Sequence, residues 1–265
     1  MKNAVVQGIV IVVLFFSTLL VLNQIDWMTV FNVKEATEKT EEKLGELFWE
    51  ISKKTEREIN NQTVTNSIDS IVTRICKANE IERNNIKIHI LYKTETNAFA
   101  IPSGHLIIYS GLILAADNHA ELSGVIAHEI AHIELHHVME KLIKEIGLSV
   151  LVSMTTGNSG GEIIMETVKM LSSSAFDRSL ETAADIQAVE YLIKANIDPE
   201  PFANFLYKLA DEESESMKYL SWISTHPDSK ERAEYIIEYC RDKNIKSHPV
   251  ITQETWDKLK ESLQE

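Results

Sequence analysis

The sequence predicts a mainly helical α+β domain that contains a small early β-sheet and follows one N-terminal transmembrane helix. Three observations predict this class. An uncharged apolar run extends from Ala4 to Leu22. The stretch 86–93 has the residue alternation of a strand, and 97–111 has the pattern of two strands joined by a turn. Helical spacing dominates from Leu112 onward. The chain has 265 residues, of which 44% are hydrophobic, so it can bury a sizeable core.

The N-terminal run has the length needed to cross a bilayer. Its 19 residues would span roughly 28 Å as a helix, close to the thickness of the hydrocarbon layer. A cleaved signal peptide is the alternative, but no convincing small-x-small cleavage site lies between Ser17 and Asn23. Lys2 precedes the run and Asp26 follows it, which favours a cytoplasmic N-terminus and places the rest of the chain on the periplasmic side. We expect residues 1–24 to form a single-pass anchor; after signal cleavage the protein would instead be secreted or periplasmic.

Residues 25–80 are expected to form a helical lead-in between the membrane and the main domain. The stretch 34–60 is rich in charges but places apolar residues such as Leu44 and Phe48 at helical spacing. The stretch 64–79 has the pattern of a second helix. These two helices would connect the anchor to the main domain.

The main domain is expected to cover residues 81–265. Its strands are predicted at 86–93 and within 97–111, where Pro102 marks a turn between two strands. The sequence GNSGG at 157–161 separates helices and lacks the following Gly-Lys-Ser/Thr of a phosphate loop. Further helices are predicted at about 178–195, from about 200, and at about 228–243.

The charge balance and the cysteines limit the possible partners. The chain has 40 acidic and 26 basic residues and a formal net charge of −14. Nucleic acid is therefore not expected as a partner, because phosphate binding needs clustered Lys and Arg. Cys76 and Cys240 do not form a CxxC motif; they could form one disulfide in an oxidising compartment or remain two buried free thiols.

The stretch 122–140, LSGVIAHEIAHIELHHVME, places four histidines and three glutamates in an otherwise apolar helix. Within it, His128 and His132 are four residues apart and project from one face, so both imidazoles can bind one zinc ion. Glu129 lies beside them, as does the general base of a metallopeptidase. The alternative is an exposed helix with scattered histidines, but the apolar flanks predict burial, where His and Glu need partners.

A catalytic zinc site needs a third protein ligand. His136 lies eight residues beyond His128, about 12 Å along an unbroken helix, so it cannot reach the same ion unless the chain turns back. Glu181 and Asp185 are four residues apart on a predicted helix with several apolar positions. Glu181 could supply the third ligand and Asp185 could accept a hydrogen bond from a ligating histidine. The alternative is a pair of solvated carboxylates.

Four motifs, in order, resemble those of the M48 peptidases, the membrane-associated zinc metallopeptidases that include HtpX-type and CAAX-processing proteases. They are NAFAIPSGHLIIYSGLI at 97–113, ELSGVIAHEIAHIELHH at 121–137, DRSLETAAD at 177–185 and THPDSKER at 225–232. The departures, Ser103, Asp177 and His136, fall outside the presumed ligands. The long multi-span insert of some branches is missing, which points to a branch with one anchor or none.

The resemblance implies a zincin-like (gluzincin) fold and a role for each matching residue. His128, His132 and Glu181 would bind one Zn²⁺ per chain, and Glu129 would be the general base. His226 would lie over the zinc, where it steadies the oxyanion or blocks the metal in a resting form; the alternative is a surface histidine before a proline turn.

The resemblance also implies a substrate strand. Asn97, Ala98 and Phe99 match an edge strand to which a peptide would add through backbone hydrogen bonds. Three further histidines are expected to be structural: His105, His136 and His137.

The predicted function is that of a membrane-anchored zinc metalloendopeptidase in protein quality control outside the cytoplasm. Its partners would be unfolded or membrane-associated polypeptides and, through the N-terminal helix, the membrane. A metal-binding but proteolytically silent assembly or chaperone-like module is the alternative, although the intact Glu129 argues against it. A structural zinc site would be expected to have four Cys or His ligands.

Overall fold

The computed structural model of the protein describes residues 33–157, 160–211, 220–241, 243 and 245–264. The predicted anchor at 1–24 lies outside these residues. Among the helices that are described, none is both long and apolar enough to cross a membrane. By its contacts the chain divides into two units, Met1–Thr40 and Glu41–Glu265, and the second unit contains the sheet and the site described below.

The described residues form twelve α-helices and three β-strands. The helices are α1 (Val33–Thr55), α2 (Gln62–Ala78), α3 (Ser110–Ala115), α4 (His119–Glu134), α5 (His137–Glu145), α6 (Leu148–Thr155), α7 (Gly161–Ser173), α8 (Arg178–Lys194), α9 (Glu200–Asp211), α10 (Leu220–Thr225), α11 (Ser229–Cys240) and α12 (Gln253–Glu261). The strands are β1 (Lys87–Leu91), β2 (Ala98–Ile101) and β3 (His105–Tyr109), and a 3₁₀ turn precedes β1 at Arg83–Asn85.

The sheet has the strand order β1-β3-β2. β3 pairs in parallel with β1 and antiparallel with β2, and Phe99 lies opposite Ile107. Both faces are covered, because the side chains of β3 alternate between two separate apolar clusters: Leu106 and Ile108 belong to one, Ile107 and Tyr109 to the other. This two-sided burial explains why β3 consists almost entirely of large apolar residues.

The larger apolar cluster surrounds α4, and the smaller one lies on the opposite face of the sheet. In the larger cluster α4 packs against α8 and α9. Gly124 permits the close approach to α9, since a Cβ atom there would lie 2.3 Å from the Cβ of Phe202. The smaller cluster joins α1, β2 and α5 through residues such as Phe48, Phe99 and Leu142.

Helix α4 begins at a polar cap and ends before the histidine-rich stretch does. The side chain of Asn118 accepts hydrogen bonds from the backbone amides of Ala120 and Glu121, and Glu121 in turn accepts one from the amide of Asp117. Residues 121–132 of the helix are all buried. The helix ends at Glu134.

The structure confirms the mainly helical class with a small early sheet. Each predicted helix and strand is present, with ends that differ from the prediction by a few residues. Cys76 and Cys240 are both free thiols in the structure, so the disulfide alternative is not what the structure shows.

Candidate metal centre

His128 and His132 lie one turn apart on α4 and are fully buried. Their Nε2 atoms are 3.1 Å apart, and each ring therefore presents the same nitrogen to the same point. Two imidazole acceptors at this distance repel one another unless a proton or a cation lies between them. Burial lowers the pKa of His132 to about 3, so this ring is neutral and keeps a lone pair free.

Glu181 approaches the two histidines from α8. Its two carboxylate oxygens lie 3.5 Å from Nε2 of His128 and 3.4 Å from Nε2 of His132. Only 2% of Glu181 is exposed, which rules out the alternative of a solvated carboxylate. Burial alone would raise the pKa of Glu181, but the charges of His226 and Arg232 hold it well below its ordinary value, so the group remains an anion.

His226 follows α10 and completes the cluster. Its Nδ1 lies 3.1 Å from Glu181 Oε1 and 3.3 Å from Nε2 of His128. The ligand atoms of His128, His132, Glu181 and His226 all lie within 4.8 Å of one another. The alternative of a surface histidine is wrong, because His226 is fully buried and its ring stacks on Trp222 with the centroids 4.2 Å apart.

Glu129 is buried beside the cluster without a conventional partner. It has no exposed surface, and neither carboxylate oxygen makes a hydrogen bond of ordinary geometry with the described residues. Nε2 of His226 lies 3.3 Å from Oε1. Burial raises the pKa of Glu129 to about 8. A buried carboxyl group with free oxygens is unfavourable unless a ligand or a water satisfies it.

Asp185 contacts the rear of His128. Its Oδ1 lies 2.9 Å from Nδ1 of His128, on the side of the ring that faces away from the cluster. The guanidinium of Arg232, on α11, donates to both carboxylate oxygens at 2.7 and 2.8 Å. Burial alone would raise the pKa of Asp185, but Arg232 holds it at about 2. A permanent anion thus supports the ring of His128.

Arg232 also joins Asp185 to Glu181, a role that the sequence analysis did not assign. Its third guanidinium nitrogen lies 2.7 Å from Glu181 Oε2, and only 6% of the residue is exposed. Arg232 is the last residue of the motif THPDSKER, so the sequence contained it without indicating its partners. Its three contacts fix two carboxylates that are one turn apart on α8.

The helix α4 ends at Glu134, and two residues later His136 has a left-handed backbone with φ of 57°. The sequence analysis set His136 aside as a ligand unless the chain turned back. At this turn the next residue, His137, places its Nδ1 3.0 Å from Nδ1 of His132. His136 itself is exposed.

The predicted substrate residues Asn97, Ala98 and Phe99 are buried next to α4. Ala98 and Phe99 lie in β2, which has the edge position in the strand order. The side-chain amide of Asn97 donates to the backbone oxygen of Ser172 at 3.1 Å, so the end of α7 lies beside this edge. The backbone amide of Ala100 faces Glu129 and lowers the pKa of that carboxyl group, although the contact does not have the geometry of an ordinary hydrogen bond.

These residues fit a divalent metal ion. The ligand atoms of three imidazoles and one carboxylate converge within 4.8 Å of one another, and the two oxygens of Glu129 make no hydrogen bond of ordinary geometry among the described residues. Nitrogen and carboxylate ligands of this kind suit zinc. The cluster provides four possible protein ligands, whereas a catalytic zinc ion uses three and leaves the fourth position for water.

A family model agrees with this geometry. The model for peptidase family M48 matches residues 62–239, more than half of the chain. The chain belongs to peptidase family M48. The matched M48 region contains α4, α8 and all of α11 except its last residue, and with them every residue of the cluster.

Several relatives of this M48 protein have names that describe proteases. It is 27% identical over 182 residues to the beta-barrel assembly-enhancing protease of Yersinia pestis, which covers 64% of this chain and 37% of the relative. It is 25% identical over 195 residues to the mitochondrial metalloendopeptidase OMA1 of Schizosaccharomyces pombe, covering 72% and 58%. It is 25% identical over 211 residues to the beta-barrel assembly-enhancing protease of Escherichia coli, covering 75% and 42%. The chain thus spans between 37% and 58% of the length of these relatives.

Proposed function

We propose that the protein is a zinc metalloendopeptidase in which His128, His132 and Glu181 bind the ion and Glu129 is the general base. The observation that carries the proposal is the unsatisfied carboxyl group of Glu129 directly beside three convergent ligands. A structural zinc site would have no use for such a group. Membership in family M48 supports the same reaction class.

A bound zinc ion would supply Lewis acidity, lowering the pKa of a coordinated water and polarising the peptide carbonyl. Glu129 then removes the proton from the attacking water and delivers it to the amine that leaves when the C–N bond breaks. The position of Glu129, buried directly beside the ligand cluster on α4, suits it to this transfer. The reaction consumes one water and needs no covalent intermediate.

His226 has two possible roles in this scheme. Its Nε2 lies 3.3 Å from Glu129, where it could donate a hydrogen bond to the developing oxyanion. Its Nδ1 faces the ligand cluster, where it would occupy the position needed by water. The second role describes a resting enzyme that must release His226 before it acts.

The substrates are unfolded or membrane-associated polypeptides. An extended peptide would pair with the edge of β2 at Asn97, Ala98 and Phe99, which leaves side-chain selectivity loose. The end of α7 lies beside that edge through the contact between Asn97 and Ser172, so substrate entry requires α7 to move. The names of the relatives, two proteases and a metalloendopeptidase, support a polypeptide substrate.

The enzyme would act at a membrane, outside the cytoplasm. This part of the proposal is based on the uncharged run from Ala4 to Leu22 and on the position of Lys2 before it. A role in protein quality control agrees with loose selectivity for the side chains of the substrate. The proposal includes the division of the chain into an anchor that ends at about residue 24, a helical lead-in that ends at about residue 80, and the main domain.

The test uses the full chain, purified in detergent. We expect about one zinc per chain by elemental analysis, cleavage of casein, and loss of cleavage after treatment with a chelator. Cleavage should return when zinc is added back. A protein that binds one zinc, retains its fold and cleaves neither casein nor a set of unfolded polypeptides would instead be the silent assembly or chaperone-like module.

A further inference from the structure

The two helical histidines of the proposed zinc site are supported differently. Nδ1 of His128 faces the carboxylate of Asp185 at 2.9 Å. Nδ1 of His132 faces Nδ1 of another histidine, His137, at 3.0 Å. Both supporting groups are buried, with exposures of 1% and 5%. The sequence analysis expected His137 to be structural.

The contact between Nδ1 of His132 and Nδ1 of His137 determines which nitrogen of each ring has the proton. To direct a lone pair from Nε2 towards a metal, neutral His132 must have its proton on Nδ1. At 3.0 Å from that proton, Nδ1 of His137 must act as the acceptor, so His137 has its own proton on Nε2. The opposite arrangement, with His137 donating, would place the proton of His132 on Nε2, where the metal should bind.

The backbone brings His137 into this position. α4 ends at Glu134, and the left-handed conformation of His136 turns the chain so that His137 begins α5. The rings of His132 and His137 meet nearly edge to face, with the centroids 5.0 Å apart at 70°. An edge-to-face contact allows a nitrogen of one ring to lie in line with a nitrogen of the other.

A second contact restricts the same ring. Phe176 stacks on the face of His132 with the centroids 4.1 Å apart. The ammonium group of Lys141, one turn after His137 on α5, lies 4.3 Å from the centroid of Phe176. His132 is therefore restricted across its face by Phe176 and along its edge by His137. Phe176 restricts the tilt of the ring; among the described residues, His137 is the one whose contact with Nδ1 of His132 can select the tautomer.

We propose that His137 is a positioning residue for the metal centre: its Nδ1 accepts the Nδ1 proton of His132 and thereby fixes the tautomer and direction of that ligand. This inference rests on the proposed metal-binding function. In this arrangement the neutral imidazole of His137 orients His132, whereas the carboxylate of Asp185 orients His128. Outer contacts of this kind change metal affinity by about 10–100-fold.

The test compares His137→Asn with His137→Gln in the full chain. The side-chain oxygen of asparagine can take the place of Nδ1, whereas glutamine carries its amide one bond farther, near the position of Nε2. We expect zinc affinity, measured by competition with a chelating indicator, to stay within about threefold of wild type in His137→Asn and to fall about 10–100-fold in His137→Gln. The visible spectrum of the cobalt-substituted protein should change only in His137→Gln.

His136→Asn is the matched control, because asparagine tolerates the left-handed backbone and the residue is exposed. Its zinc affinity should equal that of wild type. Equal affinities for His137→Asn and His137→Gln would overturn the proposal. The variant His137→Leu gives a third comparison. If this variant has a lower melting temperature, the conclusion does not change, since it depends on the comparison of His137→Asn with His137→Gln.

A readout without metal separates this proposal from the proposed function. In the metal-free protein, ¹⁵N NMR of the imidazoles should place the proton of His132 on Nδ1 in wild type and in His137→Asn, and on both nitrogens in exchange in His137→Gln. Failure of the wild-type protein to bind zinc would contradict the proposed function alone. A proton of His132 on Nε2 in the wild type would contradict the role of His137 alone.

Discussion

The domain contains two groups of histidines with different electrostatics. The metal centre groups His128, His132 and His226 with Glu181 and Glu129, and all five are at most 2% exposed. The second group, which we call the strand cluster, comprises His89, His105, Trp49, Lys87, Glu46 and Glu58. It lies where β1 and β3 pack against α1.

In the strand cluster each ring nitrogen meets a partner. Nε2 of His89 lies 2.9 Å from Nδ1 of His105, and Nε2 of His105 lies 3.1 Å from the ammonium group of Lys87. The remaining nitrogen of His89 lies 3.4 Å from Glu58, and Trp49 stacks on the ring at 3.6 Å. In the metal centre four possible ligand atoms converge within 4.8 Å of one another, and neither oxygen of the neighbouring Glu129 makes a hydrogen bond of ordinary geometry with the described residues. The comparison teaches that a metal site is indicated by unsatisfied convergent lone pairs, and that nearby histidines alone do not indicate one.

The largest expected difference between the two groups concerns catalysis. Glu129→Gln should lower kcat by about 10²–10⁴-fold, because no proton acceptor would remain beside the attacking water. The matched change in the strand cluster, Glu58→Gln, should leave kcat unchanged. Initial rates of casein cleavage, normalised to bound zinc, measure both. Wild-type turnover in Glu129→Gln would remove this residue from the mechanism.

The next effect concerns metal content. Glu181→Ala should lower zinc affinity by more than about 100-fold, beyond the range typical of outer contacts, because it removes a ligand. Glu46→Ala, which removes a carboxylate 3.6 Å from His105, should bind zinc as the wild type does. Elemental analysis after dialysis against a chelator of known affinity makes the measurement. Equal zinc loss in the two variants would make the strand cluster a metal site as well.

A smaller effect is expected at the support of His128. Asp185→Asn should weaken zinc binding by about 10–100-fold, because the ring loses a negative acceptor. The metal-free protein should also melt at a lower temperature, since Glu181 would then be the remaining ion-pair partner of Arg232 among the described residues. Removing one partner of a buried ion pair lowers the free energy of unfolding by about 3–5 kcal/mol at most. Zinc titration and a thermal melt of the metal-free protein provide the two readings. An unchanged zinc affinity would show that Asp185 serves Arg232 alone.

The smallest effect belongs to the strand cluster and concerns pH. Burial, the Lys87 charge and His89 lower the pKa of His105 to about 4, and Glu46 opposes them weakly. In the unfolded chain the imidazole of His105 has a pKa of about 6.5, so it takes up a proton at a higher pH than it does in the folded protein. His105 therefore contributes stability above pH 6.5, and this stability is lost as the pH falls from about 6.5 to about 4. We expect His105 to account for about 2 kcal/mol of the stability lost between pH 7 and pH 5.

Urea unfolding of the metal-free protein at the two pH values measures this loss, with His105→Gln as the comparison. The metal-centre histidines titrate equally in both proteins, so their contribution cancels in the difference. If the two proteins lost the same stability between pH 7 and pH 5, His105 would not be held neutral by the strand cluster.

Local pattern was sufficient for the elements and for part of the site. The apolar–polar alternation around β1 and the apolar spacing of α2 and α8 predicted these elements, because side-chain direction repeats every two residues in a strand and every 3.6 in a helix. The same rule placed His128 and His132 on one face of α4, and four residues also separate Glu181 from Asp185. Sequence spacing alone determined these pairs.

Tertiary structure decided which of these pairs meet and what supports them. His128 and His226 are separated by 98 positions in the sequence, and Arg232 reaches Asp185 across 47. No periodicity connects such residues, because their contact depends on how α8 and α11 pack against α4.

The sequence pattern also did not predict the left-handed turn at His136, since a left-handed residue other than glycine gives no compositional signal. It ends the helix and directs His137 to His132. The sequence therefore determined the helical spacing of His128 with His132 and of Glu181 with Asp185. Packing determined the acceptors that orient the two histidines, because hydrogen-bond direction is fixed only when both backbones are in place.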